Sequence, residues 1–281
     1  MTETFYKECS AFFDVGIAGA GQMGAGIAYA CAKSGRDVVI YDINEDSLQK
    51  SKEIIEKIQE KESVNLGVNI IFSTDLSCFK DVDLVIEAIP ENMDLKRDFF
   101  KSINSIIKED TVIASNTSSF SIKNLFEGIN KEFIGIHFMN PVNKINLVEI
   151  IHHDKCRPEL IKKVQKFLNE IGKEGILVKD SPAFIVNRLL IPMINSAVIL
   201  LDNDIAKADD IDKAMKIGAN HPIGPLALAD LIGIDTCVSI LNELCVELGS
   251  CYQPSNLLEE MVEKGYLGRK SGQGFYTYEK K

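Results

Sequence analysis

A histidine and a glutamate interrupt two neighbouring apolar stretches, IGIHF and LVEII. His137 is near the end of the first stretch, and Glu149 lies twelve residues further on, across a turn that contains Asn140-Pro141. An imidazole exchanges protons near neutral pH, and a carboxylate on its second ring nitrogen fixes the tautomer and stabilises the imidazolium. If the two stretches are neighbouring strands, the pair predicts general acid–base chemistry, such as deprotonation of a secondary alcohol that loses a hydride. A structural histidine at a strand end is the alternative.

A glycine loop makes the catalytic interpretation stronger. Gly19, Gly21 and Gly24 have the G-x-G-x-x-G spacing, after a strand-like stretch and before a helix-like one. Such glycines permit a tight turn, a close approach of the backbone to a pyrophosphate, and close packing of helix on strand. Asp42 follows twenty-three residues after Gly19, where a carboxylate binds ribose hydroxyls and repels a 2′-phosphate. The loop predicts dinucleotide binding, with NAD(H) favoured over NADP(H). The glycines alone do not separate NAD from FAD, and Asp42 can also be a turn or capping residue.

The elements that must position these residues alternate between strands and helices. Eight apolar stretches predict strands at 15–19, 37–42, 70–73, 83–88, 111–115, 133–138, 147–151 and 175–179. Helical patterns lie between most of them, for example at 22–34, 45–62 and 93–108. This alternation predicts an α/β fold with a parallel, doubly wound sheet of the Rossmann type. Ligands bind such a sheet at the carboxyl ends of its strands, where His137 is expected.

The pattern becomes purely helical after residue 180. We therefore predict an NAD-binding Rossmann domain over residues 1–180 and an all-helical substrate and dimerisation domain over 181–281. Its helices are expected at roughly 183–203, 209–218, 225–249 and 256–264. The first of them is apolar nearly all round, which predicts burial on every side. A small domain with such a helix predicts a homodimer.

Composition excludes several other classes of protein. The 281 residues are 46 % hydrophobic and carry a formal net charge of −10, which argues against a nucleic acid or an anionic membrane as partner. Seven scattered cysteines without a C-x-x-C pair predict free thiols in a reducing compartment and no metal site. The N-terminus lacks the apolar core of a signal peptide, and the apolar stretch 184–201 contains Asn187, Arg188 and Pro192. We expect a cytoplasmic protein.

With these residues in view, the chain resembles the short-chain L-3-hydroxyacyl-CoA dehydrogenase family, in particular its bacterial 3-hydroxybutyryl-CoA dehydrogenase type. The resemblance covers residues 15–278. Its motifs are GAGQMGAGIA (19–28), IEAIPENMDLK (86–96), SNTSS (115–119), HFMNPV (137–142), LVEII (147–151), SPAFIVNRLLIPMINSA (181–197), NHPIGPLALADLIG (220–233) and LGRKSGQGFY (267–276). It implies reversible oxidation of (S)-3-hydroxyacyl-CoA, with a short acyl chain, to 3-ketoacyl-CoA by NAD, within fatty acid and butyrate metabolism.

The resemblance also implies roles for individual residues. His137 corresponds to the catalytic base and Glu149 to its partner, while Ser118 binds the substrate 3-oxygen and Asn187 helps to position that oxygen or the acyl portion. The implied cofactor contacts are Gly19, Gly21, Gln22, Met23, Gly24, Asp42, Ala88, Glu91, Lys96, Asn116, Ser118 and Asn140. Ser118 as a loop cap, Asn187 as a polar contact inside a helix, and Glu91 with Lys96 as a solvated helix start are the alternatives. The other histidines, His152, His153 and His221, are expected to be structural or on the surface. The motif at 267–276 is expected to accompany the dimer.

The chain departs from the family in two places. The stretch before the first strand is longer than usual, and the helical excursion after Asp42, which contributes to coenzyme A binding in the family, is confined to residues 43–69. Lysines remain on its helix at positions 50, 52, 57 and 61, either to meet an anionic head group or as part of a solvated face. Two alternative functions therefore stay open. One is an NAD-dependent dehydrogenase of a free hydroxy acid, of the gulonate or carnitine type, and the other is a non-catalytic NAD-binding structural or sensor protein.

Overall fold

The computed structural model describes residues 11–279 of the chain. The residues before Ala11, which hold Cys9 and most of the N-terminal extension, lie outside the described residues, as do the last two. The chain divides into two compact units, the first ending at Ser181 and the second beginning at Pro182. The first unit contains one eight-stranded sheet with helices, and the second is helical.

The eight predicted strands are all present in the first unit. They are β1 Asp14–Ala18, β2 Asp37–Tyr41, β3 Ile70–Ser73, β4 Leu84–Glu87, β5 Val112–Ser115, β6 Phe133–Phe138, β7 Leu147–His152 and β8 Glu174–Lys179. Their order across the sheet is β3-β2-β1-β4-β5-β6-β7-β8. Interior strands carry apolar side chains on both faces, and Ile17, Ile40 and Ile86 are completely buried. This confirms the predicted Rossmann-type, doubly wound architecture.

The sheet changes its winding direction between β1 and β4. The chain runs outward from β1 through β2 to β3, then returns to place β4 on the other side of β1. Strands β1 to β6 are mutually parallel, so their carboxyl ends share one edge. Doubly wound sheets bind ligands in the crevice that such a switch point opens at this edge.

The prediction of a parallel sheet holds for the first six strands and is wrong for the last two. Strand β7 is antiparallel to β6, and β8 is parallel to β7, so both run against the first six. Only eight residues join β6 to β7, which is too few for the crossover that a parallel pair needs. The short connection therefore makes a hairpin, and it contains a cis peptide bond between Asn140 and Pro141.

Five helices accompany the sheet: α1 Gln22–Lys33, α2 Glu45–Glu62, α3 Met93–Ile103, α4 Ile122–Leu125 and α5 Pro158–Glu170. Helix α3 is shorter than the predicted 93–108, because the amides of Ile106 and Ile107 both bond to the carbonyl of Ile103 and turn the chain. Helix α2 occupies most of the connection between β2 and β3. It ends at Glu62, whose carboxylate accepts hydrogen bonds from Tyr29, Lys33 and Asn143.

The second unit contains α6 Val186–Asp202, α7 Ala208–Gly218, α8 Pro225–Ile232, α9 Ile234–Leu248 and α10 Asn256–Glu263. Helix α6 begins later than predicted, because Ala183 and Phe184 have left-handed backbones with φ of 56° and 55°. The single helix predicted over 225–249 is two helices, α8 and α9. Gly233 separates them with φ of 109°, outside any helical geometry.

Within the single chain helix α6 is buried on one side, and the predicted burial of its other side depends on a second copy. Ile191, Ile194 and Val198 are completely buried in the core of the second unit, whereas Leu189 is 71 % exposed. The exposed apolar face includes Ile185 and Leu200 with Leu189. A helix packed against one core buries only the side that faces that core.

The motif at 267–276 is attached to the second unit by a buried carboxylate. Asp230, 1 % exposed, accepts hydrogen bonds from the amides of Phe275 and Tyr276 at 2.9 Å. Cβ atoms placed on Gly268 and Gly274 would lie 2.4 and 2.0 Å from atoms of Asp230, so glycine is required for this close approach. Within its own unit the motif therefore closes the helical core.

Candidate active site

The imidazole of His137 and the carboxylate of Glu149 meet on neighbouring strands. His137 on β6 is directly opposite Glu149 on β7 in the antiparallel register. Nδ1 of His137 lies 2.7 Å from an Oε atom of Glu149, and the two residues are 4 % and 1 % exposed. Opposed residues of a hairpin point to the same face of the sheet, which explains the twelve-residue spacing. The predicted proximity is confirmed, and the arrangement orients the imidazole and can stabilise its protonated form.

The glycine loop occupies the crevice between β1 and β4. Gly19 has φ of 99°, and a Cβ there would lie 2.5 Å from the carbonyl oxygen of Ala88. A Cβ on Gly24 would lie 1.9 Å from the carbonyl oxygen of Gly19, so helix and turn can pack only with glycine. A Cβ on Gly21 would meet no atom of the described chain within 4 Å. That open space over the loop fits the approach of a pyrophosphate.

Helix α1 and Asp42 complete the features expected for a dinucleotide. The helix begins after Gly21, and no side chain of the described residues caps it, so its first amides can meet an anion. Gln22 and Met23 form its first turn. Asp42 follows β2, and its carboxylate accepts hydrogen bonds from Ala20 in the loop at 2.9 Å and from Asn44 at 3.0 Å. The acidic group is thereby attached to the glycine loop.

Ser118 lies in the loop after β5, and this loop is attached to Glu91. One carboxylate oxygen of Glu91 accepts hydrogen bonds from the Thr117 hydroxyl at 2.6 Å, the Ser118 amide at 2.9 Å and the Ser119 amide at 3.2 Å. The other oxygen pairs with Lys96 Nζ at 3.1 Å. Burial raises the pKa of Glu91, but Lys96 and these hydrogen bonds outweigh it, so the pKa lies below its usual value.

Lys96 does not begin a solvated helix. It lies in the first turns of α3, yet it is 1 % exposed and its ammonium contacts two carboxylates, Glu91 and Glu87. The alternative interpretation of this residue as a surface charge is therefore wrong. An ion pair this deeply buried is expensive to form, so it indicates a specific task at this edge of the sheet.

The remaining predicted contacts of the first unit lie around the same edge. Asn116 accepts a hydrogen bond from the Phe138 amide at 2.8 Å, which joins the loop after β5 to the strand that carries His137. The Ala88 amide donates a hydrogen bond to the carbonyl oxygen of Ala18 at 2.7 Å, which places Ala88 beside the end of β1. Asn140, exposed, lies at the first position of the cis bond in the β6–β7 connection.

Asn187 belongs to the second unit, where it lies in the first turn of α6. Its role stays a prediction. Of the other histidines, His153 stacks on Phe133 with ring centroids 4.3 Å apart, a structural contact, and His221 lies between α7 and α8.

Glu87 is a residue of this site that the sequence analysis missed. It is completely buried at the end of β4, where it contacts Lys96 and Ser115. The signal was present in the sequence, because an ionisable residue ends the otherwise apolar strand. A buried charge at the carboxyl end of a strand is a marker of a functional edge.

Among the described residues, no group of three or more His, Cys, Asp or Glu side chains could hold a metal ion. No helix between residues 11 and 279 is long and apolar enough to cross a membrane.

Comparison with known families gives two matches that together span nearly the whole chain. Residues 14–181 match the model of the 3-hydroxyacyl-CoA dehydrogenase NAD-binding domain. Residues 184–278 match the model of the 3-hydroxyacyl-CoA dehydrogenase C-terminal domain. The order of the two matches is that of the two compact units.

Individual relatives are similar over almost their full length. A probable 3-hydroxybutyryl-CoA dehydrogenase of Deinococcus radiodurans is 45 % identical over 276 residues, which cover 94 % of this chain and 99 % of the relative. The crystal structure of (S)-3-hydroxybutyryl-CoA dehydrogenase from Ralstonia eutropha is 43 % identical with a TM-score of 0.89, covering 96 % of this chain and 100 % of the other. A diketoreductase acting on dicarbonyl compounds is 32 % identical with a TM-score of 0.80, covering 95 % of this chain and 99 % of the other.

Proposed function

The chain belongs to the 3-hydroxyacyl-CoA dehydrogenase family and is an NAD-dependent oxidoreductase of 3-hydroxyacyl-CoA, and on that premise we propose that His137 is its general acid and base. The observation on which this assignment depends is the buried contact of 2.7 Å between His137 and Glu149. It supplies a proton carrier whose orientation is held by a carboxylate, at the edge of the sheet that also bears the glycine loop.

The proposed reaction is reversible. Oxidation removes a hydride from C3 of the (S)-3-hydroxyacyl thioester and a proton from its hydroxyl oxygen, leaving the 3-ketoacyl thioester. The nicotinamide of bound NAD supplies the hydride acceptor. Because Nδ1 of His137 faces Glu149, we assign Nε2 as the nitrogen that accepts the proton from the substrate hydroxyl. In the reduction direction His137 begins protonated and donates to the ketone oxygen, while Glu149 stabilises the imidazolium.

Two further residues are proposed to act on the substrate oxygen. Ser118 can donate a hydrogen bond from its hydroxyl, and Asn187 from its amide group, to charge that develops on the 3-oxygen or the acyl portion. The fixed backbone of the loop supports this role for Ser118, because Glu91 holds its amide at 2.9 Å. We propose the same division for the domains, with residues 1–180 binding NAD and 181–281 serving substrate and dimer.

The residues of the crevice fit NAD. Gly21 leaves room for a pyrophosphate, the uncapped start of α1 presents amides to it, and Asp42 lies where the adenosine ribose hydroxyls are expected. We assign the nicotinamide side of the site to the predicted cofactor contacts that follow β4, β5 and β6, namely Ala88, Glu91, Lys96, Asn116, Ser118 and Asn140. These residues line the carboxyl edge from β4 to β6.

We propose a short acyl chain, as in 3-hydroxybutyryl-CoA, because relatives at 43 % and 45 % identity bear that name. Coenzyme A is the part of the substrate that needs a direct test. Helix α2 occupies most of the connection that follows Asp42, and its lysines Lys50, Lys52, Lys57 and Lys61 are all exposed. A free hydroxy acid of the gulonate or carnitine type is the alternative substrate that such a test must separate from the thioester.

The decisive experiment compares NADH oxidation with acetoacetyl-CoA and with free acetoacetate under identical conditions. We expect turnover with the thioester and little with the free acid, because binding of the coenzyme A portion contributes to the transition state. Equal or faster turnover with the free acid would make the protein a hydroxy-acid dehydrogenase on the same scaffold. NADH binding without turnover on either substrate would leave the non-catalytic alternative.

We also propose that the protein is a homodimer formed through its second unit. Nine large apolar side chains there are exposed in the single chain: Ile185, Leu189, Ile199, Leu200, Ile205, Ile217, Leu231, Val246 and Tyr266. So many exposed apolar side chains in one unit support an interaction surface, and a second copy is the commonest partner. From the proposed substrate we infer in addition a cytoplasmic enzyme of fatty acid and butyrate metabolism, because acyl-CoA thioesters and NAD(H) occur together inside cells.

A further inference from the structure

Glu87 lies at the switch point of the sheet, although its side chain is completely buried. Its backbone pairs with Ala18 on β1 on one side and with Ser115 on β5 on the other. It is therefore adjacent both to the strand that leads into the glycine loop and to the loop that carries Ser118. A carboxylate in such a place is costly unless its partners repay the lost hydration.

The partners of Glu87 come from three separate segments. One oxygen accepts hydrogen bonds from the Ile89 amide at 2.8 Å and from Lys96 Nζ at 2.5 Å. The other accepts a hydrogen bond from the Ser115 hydroxyl at 2.5 Å. The turn after β4, helix α3 and the end of β5 are thereby joined at one carboxyl group. Burial raises the pKa of Glu87, and the Lys96 ammonium opposes that rise.

Lys96 passes this attachment on to the Ser118 loop. Its ammonium donates hydrogen bonds to the Glu87 carboxylate and to the carbonyl oxygen of Ile89 at 3.2 Å. It also pairs with the carboxylate of Glu91 at 3.1 Å. Glu91 in turn holds the amide of Ser118. A shift of the Glu87 carboxylate would therefore shift the lysine, the second carboxylate and the loop.

We propose that Glu87 is a positioning residue for Ser118 and acts by two routes. One route runs through Ser115, the last residue of β5 before the loop that carries Ser118. The other runs through Lys96 and Glu91. The inference rests on the proposed function, because it takes Ser118 as the residue that binds the substrate oxygen. Being fully buried, Glu87 acts through these neighbours. A displacement of a catalytic group by about 1 Å can lower turnover roughly 100-fold, so this support affects the rate.

The test is a double-mutant cycle between Glu87→Gln and Ser118→Ala, read as kcat with acetoacetyl-CoA at saturating NADH. Glutamine keeps the size of the side chain but removes the counter-charge of Lys96. We expect Glu87→Gln alone to lower kcat about 10- to 100-fold. In the Ser118→Ala background we expect little further loss, because a misplaced loop no longer carries the hydroxyl. Equal loss in both backgrounds would overturn the inference.

A matched control lies next to the opposite end of β4. Asp83, just before β4, accepts hydrogen bonds from the amides of Phe13 and Asp14 at 3.1 and 3.2 Å and pairs with Lys108. Asp83→Asn also converts a supporting carboxylate to an amide, but at the opposite end of the strand. We expect it to lower thermal stability and to leave kcat unchanged. A drop in kcat like that of Glu87→Gln would mean that Glu87 only stabilises the fold.

Two results separate the inference from the proposal beneath it. If Ser118→Ala leaves kcat unchanged, the proposed role of Ser118 fails and the positioning role fails with it. If Ser118→Ala lowers kcat but Glu87→Gln does not, only the positioning role fails. Should Glu87→Gln not fold, Ser115→Ala replaces it in the cycle, because it removes one hydrogen bond from Glu87 and keeps the buried ion pair.

Discussion

At the scale of single residues, the site depends on carboxylates that hold other groups in place. Glu149 orients the imidazole of His137 from a buried position, and Glu91 holds the backbone of Ser118. Low local dielectric strengthens such contacts and also makes their loss costly. The substitutions of interest at this scale are therefore those that remove one partner and preserve the volume.

Replacement of His137 is the first prediction at this scale. His137→Gln should lower kcat for acetoacetyl-CoA reduction by about 10²- to 10⁴-fold, because the proton donor is lost. NADH binding, followed by fluorescence titration, should survive. His221→Gln in the second unit is the control and should leave both quantities unchanged. Collapse of NADH binding in His137→Gln would instead identify a structural histidine.

The second prediction concerns cofactor choice. Asp42→Ala should narrow the preference for NAD(H) over NADP(H), because the carboxylate that repels a 2′-phosphate is removed. The measurement is the ratio of kcat/KM for NADH and NADPH in the wild type and the variant. An unchanged ratio would assign the preference to other residues. Part of any loss with NADH itself should come from the glycine loop, since Asp42 also holds the Ala20 amide.

At the scale of elements, two connections decide the geometry. The eight-residue link between β6 and β7 forces a hairpin, and the hairpin brings His137 opposite Glu149. The glycine turn between β1 and α1 brings the start of a helix to the crevice at the switch point. In both places the length and backbone conformation of the connection determine which groups meet at the edge of the sheet.

The glycine turn gives a pair of predictions with opposite outcomes. Gly24→Ala should destabilise the fold, because its Cβ would lie 1.9 Å from the Gly19 carbonyl oxygen. Gly21→Ala should fold normally, since no described atom lies within 4 Å of its Cβ, but should lose NADH affinity because the methyl group fills the path of the pyrophosphate. Thermal melts and NADH titrations measure the two effects. Normal NADH binding by Gly21→Ala would disprove this placement of the cofactor.

At the scale of the whole molecule, the second unit leaves many large apolar side chains exposed to solvent in the single chain. On α6 the exposed positions Ile185, Leu189 and Leu200 recur at intervals that place them on one side of the helix. The sequence-based expectation of a helix buried all round needs a second copy, and the homodimer proposal accounts for the side that is exposed in the single chain.

The matching prediction is a change of oligomeric state. Leu189→Lys should shift the protein from dimer to monomer in light scattering after size-exclusion chromatography, because a charge would be buried in the contact. Ile71→Lys is the control, since Ile71 is also exposed, at 62 %, but lies on β3 in the first unit. A dimer that survives Leu189→Lys would move the proposed contact away from this face of α6.

Local patterns in the sequence sufficed for much of this protein. The apolar periodicity located all eight strands, and the glycine spacing with Asp42 indicated a dinucleotide site, because both depend on residues close together along the chain. The motif resemblance led to the 3-hydroxyacyl-CoA dehydrogenase family, to which the chain belongs.

Features that depend on contacts between distant segments required the tertiary structure. The direction of β7 and β8, the break at Gly233 and the exposed side of α6 all follow from how elements pack, and local periodicity is blind to packing. The meeting of Glu87, Lys96 and Glu91 was hidden for the same reason. A solvated helix start was the alternative interpretation of Glu91 and Lys96, and only the folded sheet edge brings Lys96 against both Glu87 and Glu91.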